Sequence, residues 1–357
     1  MYTFYMPEEK LTIESAINKL RDKSKSVKLP DGLVESLNEL FAQLEVNSKS
    51  EDTFWNFYQS ASKYIDWIIK LPWNTQSQDI LDLDHTRQKL DENHYGLDEV
   101  KQRIQEYVSI LALQKSRHPQ EPFRAPILLF VGLVGTGKTT MAKSIADVLG
   151  RQLIRIPFGG LGDPLYLRGQ SRLHPEAEPG AIIRGLAQTK TNNPVILLDE
   201  IDRVADDALN TIMGVLVELL DPEQNDRFSD HYLDYPFNLS QAFFVATCNN
   251  TARIATAVMD RLEVIQMPSY NDEEKMMIGK KYLLPKALKE SAITSDELII
   301  NDDMWPNIVR PLGFDAGVRT LKRNIEGLCR KTAALILSGT PKIVIDDNNV
   351  KKFMPQW

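Results

Sequence analysis

The chain has 357 residues, 43% of them hydrophobic and 25% charged. That is enough apolar material for two or three packed domains and too much for a disordered chain. Its 42 Lys and Arg against 49 Asp and Glu give a formal net charge of −7, whereas a dedicated nucleic-acid binder usually carries a basic excess. Cys248 and Cys329 are the only cysteines, which excludes a disulfide framework, and the five histidines form no HxH or HExxH pair. The N-terminal MYTFYMPEEK lacks the basic and apolar regions of a signal peptide. The longest apolar run, residues 125–134, is about half of a membrane span. A cytoplasmic protein with no membrane partner is the expectation.

Residues 1–72 read as helical. Ile13, Ala16, Ile17 and Leu20 fall on one helical face, as do Leu33, Leu37, Leu40, Phe41 and Leu44. A third set is Trp55, Tyr58, Ala61, Ile65, Ile68 and Ile69, with Pro30 opening the second helix and Pro72 following the third. This predicts a helical bundle packed on a neighbouring domain. From residue 126 short apolar runs alternate with helical patterns. The runs are 127–131, 153–156, 195–198, 242–247 and 264–267. Such alternation predicts an α/β core with a parallel sheet covered on both faces. After Pro268 the pattern turns helical through residue 340, with a long helix from about Asp315 to Leu337 and one short strand at 342–345. The expected organisation is a helical segment 1–72, an α/β domain 73–270, a small helical lid 271–342 and a short C-terminal stub 343–357.

Gly132-Leu133-Val134-Gly135-Thr136-Gly137-Lys138-Thr139 fits the phosphate-loop pattern GxxxxGK[ST]. Its glycines let backbone N–H groups face phosphate oxygens. Lys138 reaches the β- and γ-phosphates, the Thr139 hydroxyl binds Mg²⁺, and the following helix points its positive end at the anion. Thr140 completes the predicted binding set. The strand 195–198 leads into Asp199 and Glu200. Carboxylates at the C-terminal end of a buried strand lie where α/β sheets hold ligands. Asp199 is expected to hold Mg²⁺, directly or through water. Glu200 is expected to orient and polarise the attacking water, because phosphoryl transfer needs positioning and charge compensation more than covalent help.

With both motifs located, the chain resembles the AAA+ ATPases, and more narrowly the ATPase portion of the Lon protease family. The resemblance rests on Tyr64-Ile65-Asp66-Trp67 and Leu71-Pro72-Trp73-Asn74, on Asp91-Glu92-Asn93-His94-Tyr95-Gly96-Leu97, and on Leu220-Asp221-Pro222-Glu223-Gln224-Asn225. Phe228-Ser229-Asp230-His231-Tyr232, Asp260-Arg261-Leu262-Glu263, Leu283-Leu284-Pro285-Lys286 and Ala316-Gly317-Val318-Arg319 carry it further. The resemblance implies ATP and Mg²⁺ as cofactors and gives Asn249 the role of sensor 1. It makes Arg261 an arginine finger donated to a neighbouring subunit, Arg319 sensor 2, and Tyr95 and Gly96 part of the adenine site. A finger acting in trans implies a ring, by family analogy a hexamer. The output implied is unfolding and translocation of unfolded or damaged proteins into an ATP-dependent serine protease, a quality-control task.

The sequence departs from that pattern in four places. No Ser-Lys protease segment is present, so peptidase activity is not expected from this chain, and a protease domain would be separate or missing. Aligned on Arg168-Gly169 and Pro179-Gly180, the aromatic-aliphatic pair of the substrate-gripping loop is here His174 and Pro175, followed by Glu176-Ala177-Glu178. The family's Arg-Gly-Asp-Pro is replaced by Leu209-Asn210-Thr211-Ile212, and Pro-Pro in the phosphate loop by Leu133-Val134. The altered grip leaves open an alternative function as a nucleotide-dependent assembly scaffold or regulator. The resemblance also leaves DNA open as a partner. Arg319, Lys322, Arg323, Arg330 and Lys331 lie on the long lid helix, a stripe that in an acidic chain reads first as a solvated or nucleotide-facing surface.

Overall fold

Three helices come first, each with an identifiable start. In the computed structural model, which describes residues 12–118, 126–174, 176–310 and 315–354, α1 (Ile13–Ser24) is capped by the Thr12 hydroxyl accepting from the Ser15 amide. Pro30 introduces α2 (Asp31–Asn47), and α3 (Glu51–Lys70) follows. Their apolar faces are Ala16, Ile17 and Leu20, then Leu33, Leu37, Phe41 and Leu44, then Ala61, Ile65 and Ile68, all buried. The spacing read from the sequence is therefore the one that packs.

The α/β core opens with α4 (Leu83–Asn93) and α5 (Asp98–Arg117). It continues through β1 (Ile127–Val131), α6 (Lys138–Leu149), β2 (Leu153–Pro157), the single turn α7 (Leu165–Arg168), α8 (Ala181–Thr189) and β3 (Val195–Asp199). Next come α9 (Leu209–Leu219), β4 (Phe243–Cys248), the turn α10 (Thr256–Met259) and β5 (Leu262–Gln266). The five strands pair in the order β2-β3-β4-β1-β5, every pair parallel. Central strands β1, β3 and β4 are buried along their whole length, while edge strand β2 alternates and edge strand β5 is only partly buried.

Strand periodicity divides the core in two. Leu129, Ile196, Leu198, Phe244 and Ala246 face a cluster shared with α1–α3, α8 and α9, whereas Leu128, Phe130, Leu197, Phe243 and Val245 face α5 and α6. The N-terminal helices thus cover one face of the sheet. The Tyr64 hydroxyl donates to the Leu233 carbonyl at 2.9 Å, the Lys63 ammonium donates to the Ala177 carbonyl at 2.9 Å, and Trp73 lies against Phe237 and Tyr235.

The last third has its own core. It holds α11 (Asp272–Ile278), opened by an Asn271–Glu274 capping box, a π-helical turn Gly279–Leu283, and α12 (Leu284–Glu290). Then come β6 (Leu298–Ile300), α13 (Trp305–Val309), α14 (Arg319–Leu337), β7 (Ile343–Ile345) and the turn α15 (Val350–Phe353). Two sequence expectations change here. The short strand expected at 342–345 is present as β7, but it pairs in parallel with a second strand, β6, inside the stretch read as helical, and three residues are too few to announce a strand by periodicity. Residues 343–354, set apart above as a stub, pack into this cluster through Ile343, Ile345, Val350, Phe353 and Met354. The long helix begins at Arg319 because the Asp315 carboxylate accepts from the Gly317 and Thr320 amides at 3.1 and 3.3 Å and fixes the turn before it.

Gly279 lies against the buried Trp305, and a β-carbon there would sit 2.4 Å from the indole Cζ3. Gly279→Ala should therefore destabilise this cluster by about 1–3 kcal/mol through overpacking. Gly214→Ala on α9, where an added carbon meets nothing within 4 Å, should be neutral or stabilising. Thermal denaturation of the two variants checks the contrast.

Candidate nucleotide site

The phosphate loop runs from the C-terminal end of β1 into α6. Gly135 and Gly137 have φ of 85° and 99°, which only glycine adopts without strain. Gly132 is required for closeness instead: an added carbon would lie 2.6 Å from the Met267 carbonyl oxygen. Lys138 folds back over the loop, its Nζ donating to the carbonyls of Gly132 (2.6 Å) and Leu133 (2.9 Å) and to Asn249 Oδ1 (3.2 Å). Burial lowers the Lys138 pKa, and the charges of Asp202, Glu200 and Asp199 work against that shift. Leu133 and Val134, which replace the family's two prolines, point into solvent.

Asp199 ends β3 with its side chain on the α6 side of the sheet. Its Oδ1 accepts from Thr139 Oγ1 at 3.1 Å and Thr247 Oγ1 at 2.7 Å, and its Oδ2 accepts from Arg155 Nε and Nη2 at 2.8 and 2.6 Å. Thr247 also accepts from the Glu200 amide at 2.9 Å. Glu200 itself has φ of 59°, a left-handed conformation that turns its carboxylate off the strand path. Asp202 Oδ2 accepts from the Asn249 and Asn250 amides at 3.1 and 3.4 Å and sets the loop that carries Asn249.

Lys138, Thr139, Asp199, Glu200 and Asn249 thus meet at one end of the sheet. Thr247, Asp202 and Arg155 join them there and were missed in the sequence. Their only signal is strand parity and register, which a single sequence does not supply. A hydroxyl and a carboxylate in contact form a hard oxygen donor pair that fits Mg²⁺, which takes one or two protein carboxylates and otherwise uses water and phosphate. Among the described residues no cluster of three or more His, Cys, Asp or Glu side chains is arranged to hold a metal on protein ligands alone.

Arg319 is the first residue of α14, beside the phosphate loop. The Val318 amide donates to the Gly135 carbonyl at 3.0 Å, and the Tyr270 hydroxyl donates to the Thr136 carbonyl at 3.2 Å. Tyr95 and Gly96 form the turn between α4 and α5 and are half-buried. Above them the lid's Tyr282 hydroxyl donates to the Asp91 carbonyl at 2.9 Å. Arg261 is held differently, with Nη2 donating to Asp221 Oδ2 at 3.0 Å and Nη1 to the Ala257 carbonyl at 2.5 Å. None of its described hydrogen bonds is to the phosphate loop of its own chain.

His174 is exposed in the loop between Arg168 and Gly180, and Pro175 lies outside the described residues. The base of this loop is fixed by Gln170 donating to the Glu178 carbonyl at 3.2 Å and by the buried Ala177. Leu173 beside His174 is 92% exposed. Leu209-Asn210-Thr211-Ile212 forms the first turn of α9 with Ile212 buried. Arg319, Lys322, Arg323, Arg330 and Lys331 are exposed on α14, as a solvated stripe requires. Among the described residues no helix is long and apolar enough to cross a membrane.

A phosphate loop facing two strand-end carboxylates and an asparagine, under a helical lid, defines the class of AAA+ nucleotide-binding modules. Residues 128–270 match the model of the ATPase family associated with various cellular activities, and residues 289–344 match that of the Lon protease AAA+ ATPase lid domain. The chain is 40% identical over 343 residues to a Lon protease of Dictyoglomus thermophilum, an alignment covering 96% of this chain and 42% of the relative. It is 39% identical over 349 residues to a Lon protease of Clostridioides difficile, covering 97% and 43%, and 44% identical over 292 residues to one of Lawsonia intracellularis, covering 82% and 34%. The chain therefore belongs to the Lon protease family, as its AAA+ ATPase portion. It spans less than half the length of these relatives.

His94 joins the α4–α5 turn to α6. Its Nε2 is 2.9 Å from Ser144 Oγ, and its carbonyl accepts from Lys101 at 2.7 Å. Burial, reinforced by the Lys101 charge, pulls its pKa from 6.5 down to about 4. The unfolded histidine binds its proton near 6.5, so the associated stability is complete above that pH and is lost as pH falls toward 4. The native chain should lose about 1–3 kcal/mol over this interval through His94, and His94→Gln should show a flatter pH dependence of its thermal midpoint.

Proposed function

We propose that this chain hydrolyses ATP with Mg²⁺ in a ring of identical subunits and uses the cycle to unfold and move protein chains. The observation that carries the reading is the meeting of Lys138, Asn249, Thr139, Asp199 and Glu200 at one sheet end, with the Arg319 turn packed on the phosphate loop. Lys138, freed from the loop carbonyls, is placed to meet the β- and γ-phosphates. Thr139 and Asp199 would hold Mg²⁺, which when bound neutralises phosphate charge. Glu200, aimed by its left-handed backbone and the Thr247 bond, orients the attacking water. The Asn249 side chain reaches the same region, its backbone N–H held by Asp202. Tyr95 and Gly96, under the lid, supply the base-binding turn. Arg319 links the nucleotide to the lid.

The protein-handling part rests on the family and on the exposed Leu173 and His174. Both stand in solvent, where an extended polypeptide can pack on them. The relatives are named proteases, and we assign this module the task of delivering chains to such an activity.

Glu200→Gln should retain ATP binding while turnover falls by about 10²–10⁴-fold, because a neutral amide can still accept a hydrogen bond from the water but is too weak a base to polarise it or take its proton. Lys138→Ala should lose nucleotide binding. Binding titrations beside steady-state ATPase rates separate the two, and normal turnover in Glu200→Gln would end the catalytic assignment.

The assembly reading follows from Arg261, which is bonded to Asp221 instead of its own phosphate loop. Arg261→Ala should keep ATP binding and lose hydrolysis by about 10³-fold, the scale of an arginine finger. Mixed with Glu200→Gln, it should regain part of that activity, since some interfaces then pair an intact Glu200 with an intact Arg261. An Arg261→Ala chain that hydrolyses ATP normally contradicts a finger acting in trans.

A further inference from the structure

We infer that Arg155 is a resident counter-cation for Asp199 that gives way to Mg²⁺, so that its guanidinium sets the metal concentration at which the site loads. The inference rests on the nucleotide-site reading above.

Parity places the two groups together. Pro157 on β2 is in register with Asp199 on β3, and Arg155, two residues earlier, lies on the same face of the sheet. Asp199 is only 3% exposed, and an ionised carboxylate so far from water is costly unless it is paired and hydrogen-bonded. Each of its oxygens accepts two donors: Thr139 and Thr247 on Oδ1, and Nε and Nη2 of Arg155 on Oδ2. A carboxylate offers about four lone-pair sites. A cation arriving on Asp199 therefore meets one that is already filled.

Of the four donors, those of Arg155 are the ones able to leave. Thr247 is fully buried and also holds the Glu200 amide. Thr139 is itself the hydroxyl that joins Asp199 at the metal. Arg155 lies on the edge strand with its side chain 58% exposed, so its guanidinium can turn into water without being stranded. Two cations on one carboxylate also repel each other, which makes the exchange competitive. The outcome is a site that keeps its buried charge compensated when empty and loads metal at the expense of an ion pair.

The test uses the full chain and the variants Arg155→Gln and Arg155→Lys. A fluorescent ADP analogue is bound first in EDTA and then across a Mg²⁺ titration. Arg155→Gln should reach half-loading at about tenfold lower Mg²⁺, the scale of one charge-assisted hydrogen bond, with metal-free affinity within about twofold of native. In EDTA without nucleotide its thermal midpoint should fall below the native value, and Mg²⁺ with ADP should recover most of the difference. Arg155→Lys should lie between native and Gln in both measurements, and it carries the test if Arg155→Gln does not fold. An unchanged or higher Mg²⁺ midpoint overturns the inference. So does a parallel loss of metal-free ADP binding, which would place the guanidinium on phosphate. Lys138→Ala run alongside separates the layers: if it binds the analogue like the native chain, the underlying site reading has failed.

Discussion

A carboxylate held out of water at the end of a parallel strand needs donors on both oxygens, and the arrangement of this site follows from how Asp199 obtains them. Each donor comes from a different element: Thr139 from the first turn of α6, Thr247 from β4 and Arg155 from β2. Satisfying one buried anion therefore fixes three neighbours relative to β3. Thr247 passes the constraint on, since the hydroxyl that donates to Asp199 accepts from the Glu200 amide. The backbone of the residue assigned to activate water is thus positioned by the same bond that compensates the acid before it. Buried polar networks of this kind specify geometry because a partly satisfied version costs more than none.

Getting those donors to one point depends on strand order. β3 lies between β2 and β4, so Asp199 has a partner on each side, and β1 lies beyond β4 with the phosphate loop leaving its end. Alternate residues of the central strands go to opposite clusters, one shared with α1–α3 and one with α5 and α6. The apolar face against α6 and the acidic strand end are thus set by one parity. A slip of one residue in β3 would turn Asp199 toward the N-terminal helices and strand its charge.

Parts of this were legible in the sequence for a physical reason. Continuous apolar runs mark strands covered on both faces, and the glycines and lysine of the phosphate loop are forced on a chain whose backbone must wrap an anion. Lys138, Asp199, Glu200 and Asn249 were found that way or by resemblance. Arg155, Thr247 and Asp202 were not, because an arginine on an edge strand or a threonine in a core strand has a bland reading until register says what it faces. β6 was missed because Leu298–Ile300 gains its identity from a partner over forty residues away. Leu173 was passed over beside His174 because exposure in a loop is set by where the loop is tied, here at Gly169, Ala177 and Gly180.

The lid meets the phosphate loop through backbone, and this decides where Arg319 stands. A β-carbon on Gly317 would lie 2.5 Å from the Val134 carbonyl oxygen, and one on Gly135 would meet Gly317 Cα and the Arg319 amide nitrogen at 3.3 Å. The Val318 amide donates to Gly135, and Tyr270 binds both sides, its hydroxyl donating to Thr136 and its amide to Ala316. Burial pushes the Tyr270 phenol up to about 12, so it keeps the proton it donates. Side-chain contacts can yield by changing rotamer, but stacked backbone segments joined by hydrogen bonds move together. The first turn of α14 is therefore tied to the phosphate loop through main-chain hydrogen bonds and close backbone approach. Arg319 stands at that turn, so its position relative to the phosphate loop is set by backbone contacts and not by its own side chain.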